Sequence, residues 1–175
     1  MGKILFLVGM FAIGGYYLVH NMPSATVFPY SKEQVQAILV DAKTTLPRRD
    51  GHGQIEIWGA GRSEKGVTLH MKYASEAPLL TCQAVITAVA PNQSDVVADC
   101  ISGASSDSAI SRTQEELLAP MFDEHIAATL DKRAFNRDAA DKREAGIVFK
   151  NLGGMQSEAL QRASQFQQFQ DSFSK

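Results

Sequence analysis

At 175 residues the chain has room for one to one and a half domains. Apolar residues make up 45%, charged residues 21%, and the formal charge is −2, which excludes a collagen-like, a highly disordered and a multi-span membrane protein. A charge near zero also argues against a dedicated nucleic-acid binder, and two cysteines are too few for a disulfide scaffold or a four-thiolate zinc site.

The chain opens with an uncharged apolar run, Ile4 to Val19 (ILFLVGMFAIGGYYLV), behind Lys3. A span of the hydrocarbon core wants about 20 apolar residues. His20, Asn21 and Met22 extend the run at the interface, and Tyr16 and Tyr17 suit the headgroup level. The competing reading is a cleaved signal peptide, with a core of about 7 to 15 residues. A small-x-small cleavage pattern would place Pro23 before Ala25 or cut early at Gly14. No cysteine near residue 20 permits lipoprotein processing, and the run lacks the early Glu of mature pilins. Residues 1–23 are therefore expected to be an uncleaved transmembrane anchor. Lys3 holds the amino terminus in the cytoplasm, so the rest crosses. For a leader of bacterial type this means a single-pass inner-membrane protein with a periplasmic domain.

Ser24 to Phe28 then predicts a short strand closed by Pro29. Ser31 caps a helix, with Gln34 completing a capping box. Val35, Ile38, Leu39 and Ala42 recur at helical spacing, and Pro47 stops the helix by Leu46. After the polar loop Arg48 to Gly53 come two hairpins. Ile55, Ile57, Gly59 and Gly61 alternate on one strand, and Val67, Leu69, Met71 and Tyr73 return after a turn in Ser63 to Gly66. A three-residue loop with Gly66 puts Ile57 on the face of Met71 and Tyr73. In the second hairpin Leu80, Cys82, Ala84, Ile86 and Ala88 share a face, and Val96, Ala98 and Cys100 return after Pro91-Asn92-Gln93. A three-residue loop pairs Ala84 with Cys100 and makes Cys82 its diagonal neighbour, which raises a Cys82–Cys100 disulfide as a hypothesis against two reduced, buried thiols.

Gly103 to Ser111 reads as a small-residue linker. A second helix is predicted from Thr113 to Phe135, with Thr113 and Glu116 as a capping box and Leu117, Leu118, Met121, Phe122, Ile126 and Leu130 as its apolar stripe. Pro120 predicts a kink or a start displaced toward Ala119. Residues 137–175 divide into a charged linker, an apolar patch at Ile147-Val148-Phe149, a turn at Asn151 to Gly154, and an amphipathic tail. In that tail Leu160, Ala163, Phe166, Phe169 and Phe173 are spaced by three or four. A helix of this length is marginal alone, so a partner or the domain itself should order it.

Strand, helix, four antiparallel strands and a long helix make an α+β domain over residues 24–136, with the long helix gripped by a curved sheet. The opening Ala25-Thr26-Val27-Phe28-Pro29-Tyr30-Ser31-Lys32-Glu33-Gln34-Val35, followed by that element order, resembles the START/SRPBCC helix-grip superfamily, also called polyketide cyclase-like. The resemblance implies an apolar cavity between sheet and long helix that holds a hydrophobic small molecule or lipid, usually without catalysis.

Ile55, Ile57, Leu69, Met71, Tyr73, Ile86, Phe122 and Ile126 would line that cavity, and a closed core would use the same residues. No catalytic signature stands out: Gly59-Ala60-Gly61 lacks the third glycine of a dinucleotide fingerprint, and His20, His52, His70 and His125 share no ligand spacing. No catalytic residue, metal or cofactor is expected. Trp58 faces either the outer surface or, through a bulge, the core. The function expected is a membrane-anchored, non-catalytic periplasmic domain that binds an apolar ligand, or a protein partner through the carboxy-terminal tail, and not nucleic acid. The alternatives are a cyclase-like enzyme on a small apolar substrate and an envelope assembly protein.

Overall fold

The computed structural model describes residues 27–100 and 108–173. The expected anchor lies outside them, and among the described residues no helix is long and apolar enough to cross a membrane. The elements are β1 (Val27–Phe28), α1 (Lys32–Val40), β2 (Lys43–Pro47), β3 (Gln54–Arg62), β4 (Gly66–Lys72), β5 (Leu80–Ala90), β6 (Gln93–Asp99), α2 (Ala109–Glu116), α3 (Ala119–Leu130) and α4 (Arg137–Phe173). Six antiparallel strands form one curled sheet in the order β1-β6-β5-β4-β3-β2. The inner face of the sheet is filled by α1 and α3.

The Ser31–Gln34 capping box starts α1 and buries Val35 and Leu39. The helix ends at Val40, short of the expected Leu46, because the chain turns back as an extra strand, β2. The signal for β2 is the β-branched pair Thr44-Thr45, with Thr44 and Leu46 turned inward. Gly59 lets α1 rest on β3: a Cβ there would stand 2.3 Å from the Leu39 carbonyl oxygen and 2.5 Å from that of Val40. The Gly59 N–H donates to the Ala42 carbonyl at 3.0 Å and ties the same junction.

Both hairpins are tighter than expected, and a bulge in each corrects the parity. Ser63 and Gly66 exchange both backbone hydrogen bonds, which leaves a two-residue loop of Glu64 and Lys65. A bulge between Gly59 and Gly61 then sets Ile57 directly opposite Met71. In the second hairpin Gln93 already belongs to β6, and a bulge between Ala88 and Ala90 sets Ala84 opposite Ala98, not Cys100. Continued past Gln83–Asp99, this register faces Cys82 with Cys100. A disulfide joins them, their Cα atoms 4.2 Å apart. The Ala98 N–H turns away from β5 to donate to Asp123 Oδ1 at 3.1 Å, so Ala98 and, by alternation, Cys100 occupy the closely spaced pairs of an antiparallel ladder. Trp58 lies on the outer face, half-buried and edge-on to His70 with ring centroids 5.6 Å apart.

The single helix expected over Thr113 to Phe135 is two. Ser108, not Thr113, caps α2, and Thr113 sits inside it, donating its hydroxyl to the Ala109 carbonyl at 2.7 Å. The chain breaks at Leu117–Leu118, and Pro120 falls in the first turn of α3, where a missing N–H costs little. The helix stops at Leu130, and Lys132 turns the chain with φ 54°. The charged linker and the glycine turn are absent as such: one helix, α4, runs through Gly146, Gly153 and Gly154. At Gly154 an added Cβ would lie 3.4 Å from the Ala109 Cβ, so the glycine brings α2 and α4 together.

The Cys82–Cys100 bond closes a loop with a sequence separation of 18 and should stabilise the fold by about 3 kcal/mol through the unfolded chain. Cys82→Ala with Cys100→Ala is expected to lower the urea midpoint accordingly, and thiol counting on the denatured, unreduced wild type should find none; two free thiols per chain would contradict the bond.

Candidate functional site

The eight residues nominated for a cavity are brought together beneath α1 and α3. Ile55, Ile57, Leu69, Met71, Ile86, Phe122 and Ile126 are buried in one continuous cluster, and Tyr73 is half-buried against it. Their side chains pack the core. Surface clefts lie elsewhere: one of about 470 Å³ runs between the end of β6 and α2, lined by Ala98, Cys100, Arg112 and Ala119, and one of about 430 Å³ between β2 and the end of α3, lined by Thr44, Leu46, Ala128 and Arg133.

Behind the second cleft sits a buried polar pair. Thr44 Oγ1 of β2 and His125 Nδ1 of α3 are 2.8 Å apart, and His125 is fully buried with Nε2 lacking a hydrogen-bond partner. Burial pushes the imidazole down to about 4, so the ring is neutral at pH 7. Among the described residues no three His, Cys, Asp or Glu side chains gather to hold a metal ion. His52 is exposed on the loop after β2, and His70 serves Trp58.

Beside His125, Glu124 is also fully buried, and it turns to the junction of α3 and α4. Its carboxylate accepts from Arg133, from the Asn136 N–H at 2.8 Å and from Arg143 Nη2 of α4 at 3.3 Å. Burial alone would raise this carboxyl; the Arg133 guanidinium, the Asn136 N–H and Arg143 outweigh it and hold the group below the usual range. Three more contacts fasten α4. Arg49 of the loop after β2 meets Asp141, whose carboxylate also pairs with Arg137 one turn earlier in α4 at 3.2 Å. Asn151 donates to Glu116 of α2 at 2.9 Å. Glu158 accepts from the Ser108 hydroxyl at 2.7 Å and the Ile110 N–H at 3.2 Å, and so caps α2 from outside.

At 100° per residue, Asn151, Gly154, Glu158 and Arg162 lie along this clamped seam of α4. A different flank, about a third of a turn away, carries Val148, Leu152, Met155, Ala159, Ala163 and Phe166, with Phe149 and Leu160 at its edge. That flank is open to solvent: Phe149 is 82% exposed, Leu160 72%, Phe166 63% and Leu152 42%. A helix held on one side while large apolar groups stand free on another is a candidate interaction surface.

No family model, no curated protein and no solved structure matches this chain. The three- and four-residue spacing of Leu160, Ala163 and Phe166 was visible in the sequence. Phe149 and Leu152 stand apart from them in the sequence, because Gly153-Gly154 reads as a break. The Thr44–His125 pair and the Glu124 cluster each join residues too far apart in sequence for spacing to show.

His125 predicts an acid-sensitive fold. Its native value lies below the ordinary 6.5, so the unfolded chain binds the proton first, and stability should fall by up to about 3 kcal/mol as pH drops from about 6.5 to 4. His125→Gln, which keeps an acceptor for Thr44, should be less stable at pH 7 yet lose less over that window. Urea midpoints at both pH values check this; equal losses in the two proteins would contradict it.

Proposed function

We propose that the protein is a membrane-anchored, periplasmic, non-catalytic domain that holds a protein partner on the apolar flank of α4. The observation that carries the reading is the pairing of a clamped seam with an exposed flank on one helix: Asp141 through Arg49, Arg143, Asn151 and Glu158 fix it, while Phe149, Leu152, Leu160 and Phe166 face outward. Fixing the helix in advance lowers the ordering cost of association. The anchor rests on the uncharged run Ile4 to Val19 behind Lys3, and the disulfide suits an oxidising compartment. The helix-grip resemblance is supported by β1 lying beside β6 and by α3 packed across the inner face. An apolar ligand would have to displace the packed side chains of Ile57, Met71 and Phe122, which makes the partner reading the stronger of the two.

Hydroxyl-radical footprinting tests the proposal. With the full chain in its native membranes, Phe149, Leu160 and Phe166 should be labelled several-fold less than in dilute purified protein, while Trp58 is labelled equally in both. Equal labelling of the flank in the two states would overturn the reading.

A further inference from the structure

We infer that the occupant of the α4 flank is the α4 flank of a second copy of this chain, packed antiparallel about a two-fold axis near residues 157 and 158. The inference rests on the proposed partner role of that flank. A two-fold interface must be complementary to itself, so the pattern of contact groups has to read the same in both directions. The flank meets this condition. Running the helix against itself about that axis sets Phe149 level with Phe166, Leu152 level with Ala163 and, beside the axis, Ala159 level with Gln156. Large rings meet at both ends, a leucine meets an alanine inside them, and the small Ala159 lies beside the axis, where it lets the two backbones approach.

Charge points the same way. From residue 155 to 170 the helix has one acid, Glu158, and one base, Arg162, and these pair with each other at 2.5 Å on the clamped seam. The flank itself carries no charge, so it neither repels its own copy nor selects a charged foreign surface. The area is sufficient for a modest interface. Taking about 200 Å² for a fully exposed large side chain, the four exposed groups offer roughly 500 Å² per copy, or about 1,000 Å² in total, the lower bound for a specific contact. A contact of that size is weak in dilute solution. Two copies held in one membrane would meet at a higher effective concentration.

The register makes the test specific. The chain contains only Cys82 and Cys100, and these are bonded to each other, so one added cysteine supplies the single free thiol. Ala159 lies next to the axis, about 5 Å along the helix from its counterpart, whereas Phe149 lies about 25 Å from its own. In full-length protein in native membranes, mild oxidation of Ala159→Cys should give a covalent dimer on a non-reducing gel. Phe149→Cys alone should give none, but co-expressed with Phe166→Cys it should give a mixed dimer. Adding Leu160→Asp to Ala159→Cys should reduce the dimer about tenfold or more. Absence of a dimer from Ala159→Cys, or an equal yield from Phe149→Cys alone, would overturn the inference. If the footprint of the flank is protected while Ala159→Cys stays monomeric, the occupant is a different protein: this inference falls and the proposed function stands. If the flank is unprotected and no dimer forms, both fall.

Discussion

The buried carboxylate of Glu124 sets the direction of the longest helix. It belongs to α3, which is packed into the sheet, yet it is shared by Arg133 in the turn, Asn136 at the start of α4 and Arg143 about two turns further on. A buried charge without partners is costly, and Glu124 is the buried member of this cluster. The chain therefore has one low-energy way to leave α3, and α4 leaves along it. Everything that α4 presents, from the Asp141 contact to the flank of Phe149 and Phe166, depends on that exit.

Much of the inner architecture was legible in the sequence because it is written in local pattern. Ser31 and Gln34 cap α1, Ile55 and Ile57 alternate inward, and Pro120 marks the start of α3. The departures share a cause. A bulge shifts register by one residue with no compositional signal, and there is one in each hairpin; in the second, the bulge and the tighter two-residue loop together move Cys82 from a diagonal to a facing position relative to Cys100. β2 was hidden because Leu46 fits a helical spacing as well as an alternating one. Gly146, Gly153 and Gly154 carry a local preference against helix, and tertiary contacts override it: Asn151 and Glu158 hold the backbone on either side, and Gly154 itself is needed against Ala109.

The candidate site was legible in half. Leu160, Ala163, Phe166, Phe169 and Phe173 repeat at helical spacing and predict an amphipathic tail in need of a partner. Phe149 and Leu152 complete the flank only once α4 is continuous. Nothing in the sequence separates a residue that packs a core from one that lines a cavity: Ile57, Met71 and Phe122 suit either role, and the structure sets them in one buried cluster. Polar pairs such as Thr44 with His125 come from strands and helices that meet late in the fold, and no spacing rule reaches them.

Hydrogen exchange on Glu124→Gln tests the dependence of α4 on the buried carboxylate most directly. The account predicts that amide protection drops along α4, from Asp141 through Glu158, while β3, β4 and β5 keep theirs. Unchanged protection of α4 in a variant whose sheet remains protected would show that the helix holds its place without Glu124, and would contradict the account.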